Sequence, residues 1–248
     1  QASRIAFGTS RNCWGDIIFV TMVKGQMAYY AQFKPVDDHT FRLNTRIYLN
    51  VCNKPSEADK ECIAAVVLMN PGSARPQPGS ERARWEPLIL DRDSTLPTIY
   101  GLFWDAYAKT SKPIPKNAFI QVWNLFYLCD PKAGPAFTKF KKVLDPSWCG
   151  SEKECKPRLV WFAWGKCKST APSVIKRFNC LKERFRLEAP EKSFYYGHRG
   201  STDYEANSAR IQHGVPSDKD FAKHPLYIHD NDLGNGYGQI SDYLKSLL

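Results

Sequence analysis

The chain has 248 residues, of which 43% are hydrophobic and 13% aromatic, so it is long enough to bury a sizeable core in one large domain or two small ones. The 35 Lys and Arg residues outnumber the 25 Asp and Glu residues, and the formal net charge of +10 favours a polyanionic partner, nucleic acid before a membrane surface. No apolar run approaches the roughly 20 residues needed to span a bilayer, and the first residues lack the charged-then-apolar order of a signal peptide. We therefore expect a soluble, cytoplasmic protein with no membrane partner.

The eight cysteines are scattered along the chain, and none of them forms a CxxC pair. This spacing is not that of a zinc ribbon or of a redox motif. An even number of cysteines allows disulfides, but a single intracellular α/β domain of this size does not need them. We therefore expect reduced thiols.

The first 55 residues form a β-rich extension. Residues 17–23, 27–33 and 40–51 have strand-like composition and are separated by turn signals at Lys24-Gly25 and at residues 35–38. They predict a β meander that precedes or flanks the main sheet. No catalytic constellation is visible in this extension.

A short apolar run at residues 65–69 predicts a buried strand that ends at Asn70-Pro71-Gly72. Ligands of open α/β sheets bind outside the carboxyl ends of the strands, so Asn70 is a candidate catalytic residue. The alternative is that Asn-Pro-Gly is only a turn.

The segment at residues 72–93 is rich in Pro, Gly and Arg and shows no periodicity, which predicts a loop. Arg75, Arg82 and Arg84 lie near Trp85 in this segment. Guanidinium groups and an indole are the combination that contacts the phosphates and bases of single-stranded or flipped nucleotides. The alternative is a solvated basic loop with one anchoring Trp.

Beyond residue 93 strand and helix patterns alternate. The sequence predicts a helix that is capped by Ser94 or Thr95 and has an apolar face from Ile99 to Tyr107. Strands are predicted at residues 118–126, 159–164 and 193–198, and helical patterns at 135–144, 174–185 and 239–248. This alternation predicts a parallel sheet that is covered on both sides. Residues 199–223 are polar and aperiodic.

Four strand ends, taken in order, resemble the active-site motifs of the uracil-DNA glycosylase superfamily. Residues 67–73 (Val-Leu-Met-Asn-Pro-Gly-Ser) resemble the first motif in its thymine/mismatch-specific form, and residues 119–128 resemble the strand that carries the base-recognising Asn, here Asn124. Residues 159–166 are similar to the apolar strand that ends in Trp-Gly, and His224-Pro225-Leu226 resembles the second motif. A group of bacterial and phage proteins, named only as a domain of unknown function (sixteen forty-three), carries similar motifs in the same order.

The resemblance covers residues 62–230 and implies a single glycosylase-like domain over residues 1–248. The implied fold class is α/β, a three-layer α/β/α sandwich around a central, mainly parallel four-stranded sheet. The implied protein is a monomeric, monofunctional DNA glycosylase without metal or cofactor. It hydrolyses the N-glycosidic bond of a damaged or hypermodified pyrimidine that is flipped out of DNA. We hypothesise that modified phage DNA is its target.

The resemblance also assigns roles to residues. Asn70 positions the attacking water, His224 donates to O2 of the leaving pyrimidine, and Asn124 recognises the Watson–Crick edge. His198 and His213 are alternatives to His224 for this role. The alternative for Asn124 is that its side chain only forms hydrogen bonds with the backbone of a loop. Further substrate contacts are assigned to Met69, Pro71, Gly72, Ser73, Trp85 and Phe126. DNA contacts are assigned to Arg75, Arg82, Arg84, Lys166, Lys168 and Lys223.

Three functional alternatives remain at this point. The uracil-specific enzymes have Asp where this chain has Asn70, which implies a slower, mismatch-type mechanism and leaves repair of uracil or mismatches as a biological role. A non-catalytic module that binds modified or single-stranded DNA is the alternative from another class. An enzyme that acts on free nucleosides or nucleotides is the third hypothesis.

Overall fold

The computed structural model of the protein describes residues 29–51, 55–76, 85–90, 93–130, 132–140, 151–165, 192–198, 209–216, 220–228 and 235–248, together with most of 176–184. The predicted strand at residues 17–23 lies outside these residues, and so do Arg82, Arg84, Lys166 and Lys168.

Ten strands lie within the described part of the chain. They are β1 (Tyr29–Val36), β2 (His39–Tyr48), β3 (Cys62–Leu68), β4 (Arg75–Pro76), β5 (Trp85–Ile89), β6 (Phe119–Asn124), β7 (Val160–Phe162), β8 (Ser193–His198), β9 (Arg210–His213) and β10 (Phe221–Ala222). The helices are α1 (Thr95–Ala108), α2 (Ala133–Phe140), α3 (Ser151–Glu154) and α4 (Gly236–Leu247), with a 3-10 helix at Pro225–Tyr227. The described residues between 176 and 184 are also helical.

These strands form one mixed sheet in the order β10-β8-β7-β3-β6-β2-β1-β5-β4, with β9 paired to β8. Three pairings are parallel, namely β3 with β6, β3 with β7, and β7 with β8. The other six pairings are antiparallel. The sheet is therefore mostly antiparallel, with its parallel strands grouped in the middle.

The predicted fold class is wrong. A three-layer sandwich around a four-stranded, mainly parallel sheet does not describe a sheet of ten strands with a majority of antiparallel pairings. The prediction took the parallel strands for the whole sheet, whereas β6 also pairs with β2 of the amino-terminal extension, through Thr45 with Val122 and Ile47 with Ile120. An unpaired β6 edge would leave backbone N–H and C=O groups without partners, and β2 supplies them.

The segment at residues 72–93 was also predicted wrongly as a continuous loop. It contributes β4 and β5, and β5 pairs antiparallel with β1 through Gln32 with Trp85 and Tyr30 with Pro87. Because β5 is only five residues long and contains Pro87, its strand pattern is weak in the sequence. Pairing with β1 is what makes it a strand.

The predicted helix after residue 93 is confirmed as α1. Its apolar side packs on one face of the sheet, which we call the α1 face, against strand residues such as Val66, Leu68 and Val122. The opposite face carries a second apolar cluster that includes Val67, Trp123 and residues of α2. Strand β3 is buried on both faces, which explains why all seven of its residues are apolar.

The amino terminus of α1 is capped by Asp93 rather than by Ser94. Ser94 occupies the N-cap position, but its side chain makes no capping hydrogen bond. The Asp93 Oδ1 atom accepts hydrogen bonds from the backbone N–H groups of Thr95 at 2.9 Å and Leu96 at 3.4 Å. A carboxylate at this position also complements the positive end of the helix dipole.

Among the described residues, no helix combines the length and the apolar character needed to cross a lipid bilayer.

The packing of α1 gives a direct test of this architecture. Phe103 is 0% exposed beneath the helix, whereas its neighbour Trp104 is 45% exposed. We expect Phe103→Ala to lower the free energy of unfolding by about 3–5 kcal/mol, because it leaves a cavity in the core. Trp104→Ala should change the same quantity by less than about 1 kcal/mol. Urea unfolding followed by far-UV circular dichroism measures both, and equal losses would contradict the placement of α1.

Candidate functional site

Backbone hydrogen bonds bring the carboxyl ends of three strands, β3, β6 and β7, to one edge of the sheet. Leu125 N donates to Leu68 O at 2.9 Å, and Phe126 N donates to Met69 O at 3.1 Å, which aligns the carboxyl ends of β6 and β3. Ala163 N donates to Val67 O at 2.8 Å and aligns the end of β7 with them. Asn70, Asn124 and Gly165 therefore lie at the same edge, where parallel sheets bind ligands.

Strand β10 places His224 at this edge. Gly165 N donates to Ala222 O at 2.7 Å, and Lys223 N donates to Tyr196 O at 2.8 Å, so β10 lies between the carboxyl ends of β7 and β8. Gly165 has a φ of 77°, and a Cβ atom there would lie 3.3 Å from the Cβ of His224. The left-handed backbone and this close approach require glycine at residue 165.

Asn124 is the most unusual side chain of this edge. It is 0% exposed, and neither its Oδ1 nor its Nδ2 atom has a hydrogen-bond partner among the described residues. Leu68, its partner in the ladder, belongs to the α1 face, so the alternation of β6 directs Asn124 to that face as well. Each unpaired buried polar group costs about 1–3 kcal/mol, which calls for a functional explanation. The structure does not support the alternative in which Asn124 satisfies a loop backbone.

Asn70 follows β3 and is half-buried. Its Nδ2 atom donates to the carbonyl oxygens of Pro71 at 3.0 Å and Asp130 at 2.9 Å. Asp130 is itself held by Lys139, whose Nζ lies 2.7 Å from Asp130 Oδ2. The amide donors are thus engaged by the backbone, and Oδ1 remains as an acceptor for a ligand or a water.

His224 is held as a neutral imidazole with a defined tautomer. Leu226 N donates to its Nδ1 atom at 3.3 Å, which leaves the proton on Nε2. Burial lowers the pKa of His224 to about 4, and the charge of Asp93 opposes this shift in part. The ring is therefore uncharged near neutral pH and has one N–H to donate.

Two residues near this edge were missed by the sequence reasoning. Asp93 was interpreted only as part of a helix start, but its Oδ2 atom lies 3.6 Å from a Cβ built on Gly72. Arg42 is 1% exposed, and its Nη1 atom lies 3.9 Å from Asp93 Oδ2 and 3.4 Å from the carbonyl oxygen of Ala74. The sequence does contain a signal for Arg42, because it lies between Phe41 and Leu43 in a β-rich run. Side chains alternate along a strand, so Arg42 lies on the face opposite to that of Phe41 and Leu43.

Several predicted site residues lie in other surroundings. Trp85 stacks on Tyr30 with ring centroids 4.5 Å apart, and its Nε1 atom donates to Asn44 O at 3.1 Å. Phe126 is 1% exposed and stacks on Phe140 in the cluster of the opposite face. Both rings are thus engaged in packing.

The remaining predictions divide between the loop after β3 and the surface. Pro71 is buried, Gly72 is half-buried beside Asp93, and Met69 packs against the cluster of the opposite face. Ser73 and Arg75 are exposed. Lys223, predicted as a DNA contact, is 2% exposed.

The rival histidines occupy different positions from His224. His198 is buried at the end of β8 and pairs with Phe221 of β10. His213 is exposed on β9, and its Nδ1 atom lies 3.0 Å from the hydroxyl of Tyr243 in α4. His224 is the histidine that the structure places against the end of β7.

The described residues hold no group of three or more His, Cys, Asp or Glu side chains placed to bind a metal ion. Four cysteines lie in the described part of the chain, Cys62, Cys129, Cys155 and Cys180, and all four are free thiols. The polar groups of the site are the amides of Asn70 and Asn124, the imidazole of His224, the guanidinium of Arg42 and the carboxylate of Asp93.

Comparisons with protein-family models, with curated proteins and with solved structures found no match for this chain. A function must therefore be argued from the geometry of its own residues.

Replacing Asn124 with an apolar side chain should remove a candidate functional group and should at the same time make the fold more stable. We expect Asn124→Leu to raise the free energy of unfolding by about 1 kcal/mol or more, because two unpaired buried polar atoms are removed at similar volume. Gln121 of the same strand provides the control, because one of its two amide atoms is paired: Nε2 donates to Thr45 O at 2.9 Å, whereas Oε1 has no partner among the described residues. Gln121→Leu loses that bond and should give no gain. Urea unfolding measures both, and a large loss of stability in Asn124→Leu would show that its amide has a structural partner.

The neutral state of His224 should appear in the pH dependence of stability. Between its ordinary pKa of 6.5 and its folded pKa of about 4, the unfolded chain binds a proton at His224 that the folded chain does not. The free energy of unfolding should therefore fall by up to about 3 kcal/mol as the pH drops through this range, and this component should be absent in His224→Gln. Urea unfolding at each pH tests this, with His39→Gln as the control. Identical pH profiles for wild type and His224→Gln would contradict the assignment.

Proposed function

We propose that this protein is a DNA glycosylase that hydrolyses the N-glycosidic bond of a flipped pyrimidine and leaves an abasic site. The observation that carries the proposal is Asn124, a fully buried carboxamide whose two polar atoms have no hydrogen-bond partner among the described residues and which lies at the carboxyl ends of the parallel strands. One donor beside one acceptor is the complement of a pyrimidine's Watson–Crick edge. An extruded base would supply the hydrogen bonds that this amide lacks.

His224 supports the departure of the base. When the glycosidic bond breaks, negative charge accumulates on O2 of the leaving pyrimidine, and a donor aimed at that oxygen stabilises the charge where it develops. The Nε2–H of a neutral His224 is such a donor, and its tautomer is held by Leu226 N. Since the pKa of His224 is about 4, this donor is available over the whole neutral pH range.

Asn70 supports the attack of water. A carboxamide does not take up a proton near neutral pH, so Asn70 acts by position rather than as a strong base. Its Nδ2 atom is held by two backbone carbonyls, of Pro71 and Asp130, which fixes the direction of Oδ1, an atom to which no described residue donates. An acceptor held in this way orients a water molecule toward the sugar carbon.

The surface beside His224 suits insertion into a duplex. Leu226 is 38% exposed and Tyr227 is 54% exposed, and both belong to the 3-10 helix that follows His224. Exposed apolar side chains of this kind insert between base steps and take the place of an extruded nucleotide. The formal net charge of +10 favours the phosphate contacts that hold the duplex.

A non-catalytic module that binds modified or single-stranded DNA is the second candidate. The observation in its favour is Asn70 itself, because an amide at the position of the attacking water cannot accept a proton from it. The unpaired Asn124 amide would recognise a base in the same way without hydrolysis.

A base-release assay tests the proposal. Purified protein is incubated with phage DNAs that carry different pyrimidine modifications and with uracil-containing DNA, and abasic sites are detected by alkaline cleavage while the released base is identified by mass spectrometry. We expect release from at least one modified DNA and a loss of about 100-fold in Asn70→Ala, because the water is no longer oriented. Asp242→Ala, which removes the ion pair with Lys109 at the end of α1 opposite to Asp93, is the control and should retain activity.

Each other outcome identifies a different function. Binding without base release, with affinity that falls steeply as salt rises, would contradict the glycosylase and favour the binding module; the expected log–log slope is about −0.9 per phosphate neutralised. Cleavage of free nucleosides without salt dependence would indicate an enzyme of nucleoside metabolism instead. Full activity of Asn70→Ala would refute the assignment of Asn70.

A further inference from the structure

Three arginines in the described part of the chain are almost completely buried, and they differ in how their N–H groups are satisfied. Arg42 is 1% exposed, Arg46 is 8% exposed and Arg177 is 5% exposed. A guanidinium group keeps its charge in proteins and has five N–H donors, so each buried arginine needs several acceptors.

Arg46 and Arg177 have those acceptors. Arg46 donates to Asn44 Oδ1 at 3.3 Å and to the carbonyl oxygens of Ser56, Glu57 and Asp59 at 3.0, 3.0 and 3.4 Å. Arg177 binds both carboxylate oxygens of Glu152, and it donates to the carbonyl oxygens of Asn124 at 3.1 Å and Leu125 at 3.2 Å. Both arginines are held as parts of the folded structure.

Arg42 is the exception. The one hydrogen bond of its guanidinium group among the described residues is a long contact of 3.4 Å from Nη1 to Ala74 O, and the buried Nε atom has no partner there. Asp93 does not complete the set, because its Oδ2 atom is 3.9 Å from Nη1 and its Oδ1 atom accepts from the amino terminus of α1. The Nε atom of this buried cation has no partner among the described residues, and the one hydrogen bond of its guanidinium group is long, so the described chain does not supply all the acceptors that the group needs.

The position of Arg42 connects it with the proposed base site. It pairs with Phe33 of the α1 face, so its side chain lies on the same face as Asn124. Its backbone N–H donates to Tyr127 O at 3.0 Å, three residues after Asn124. Two under-satisfied polar groups therefore lie on neighbouring strands, β2 and β6, at the same end of the sheet.

The burial of Arg42 limits what its missing acceptor can be. Backbone phosphates of DNA stay at the protein surface, where they meet exposed side chains, and Arg42 is 1% exposed. The acceptor must therefore enter with the part of the ligand that is buried, which is the base. A guanidinium fork pairs best with the two oxygens of a carboxylate, and a single hydroxyl oxygen uses part of the same fork.

We propose that Arg42 determines specificity for a base that carries an oxygen-bearing substituent, to which its unused N–H groups donate. This inference rests on the proposed function, in that the site accepts a flipped base. Asn124 recognises the ring edge, whereas Arg42 recognises the substituent. An unsubstituted pyrimidine would leave the guanidinium without its acceptor, and it would therefore bind more weakly.

Binding to DNA that resists cleavage tests the inference. Duplex oligonucleotides carry, at one position, the 2′-fluoroarabino nucleotide of uracil, of 5-hydroxymethyluracil or of 5-carboxyuracil, and the dissociation constants are measured by fluorescence anisotropy. We expect wild-type protein to bind both substituted duplexes at least tenfold more tightly than the uracil duplex. Arg42→Met should reduce this preference to less than twofold, and Arg42→Lys should retain part of it for the carboxylate.

Arg46→Met is the matched control, because Arg46 is a buried arginine of the same strand whose donors are satisfied within the fold. Arg46→Met should keep the preference for the substituted duplexes, even if it lowers the free energy of unfolding. If Arg42→Met does not fold, binding is measured instead with the double variant Arg42→Met with Asp93→Asn, in which both charges are removed together. Equal binding of the three duplexes by wild-type protein would overturn the inference, and so would a preference that survives removal of Arg42.

Failure of this inference can be told apart from failure of the glycosylase activity. Base release from ordinary deoxynucleotide duplexes is measured alongside binding. A preference that depends on Arg42 without any base release would retain the role of Arg42 and refute hydrolysis. Release of uracil and of the substituted bases at equal rates, together with equal binding, would retain the glycosylase and refute the role of Arg42.

Discussion

The alignment of the parallel strands is the constraint on which the candidate site depends. Backbone hydrogen bonds hold β3 between β6 and β7 with their carboxyl ends level, so that Asn70, Asn124 and Gly165 meet although they are far apart in the chain. A change of register by one residue would turn Asn124 to the opposite face of the sheet and bring Trp123 in its place. The apolar clusters on both faces oppose such a shift, because it would exchange side chains of different size and shape between two packed faces.

The same edge contains groups that do not favour folding by themselves. Asn124 and Arg42 are buried with unused hydrogen-bonding atoms, and burial lowers the pKa of His224. Elsewhere in the described structure, Arg177 shows a buried charge that is well paired, through its contacts with Glu152. Buried polar groups that lack hydrogen-bond partners are typical of a ligand-binding site, since the ligand supplies the missing hydrogen bonds. The large apolar clusters on the two faces of the sheet offset its unfavourable contribution.

The predictions from sequence succeeded where a local pattern controls the outcome. The apolar run before Asn70, the face of α1 and the strand from Ser193 to His198 all lie where the periodicity indicated. The predictions failed where partners are distant in the chain. The amino-terminal β run showed no sign of pairing with β6, and the short strand at Trp85 depends on β1 for its hydrogen bonds. Strand pairing is a property of two segments, and a single segment does not encode its partner.

By itself, the sequence determined which segments are apolar enough to form buried strands and the amphipathic helix α1, and where a polar residue ends a strand, because burial and periodicity act within a few residues. The tertiary structure alone decided that the sheet is mixed and extends to ten strands, that β10 sets His224 against Gly165, and that Arg42 and Asp93 join this edge. It also decided which predicted aromatic residues belong to the core, since Trp85 and Phe126 found stacking partners in Tyr30 and Phe140. The physical reason is that hydrogen-bond satisfaction and burial depend on neighbours brought from elsewhere in the chain, which only the folded arrangement specifies.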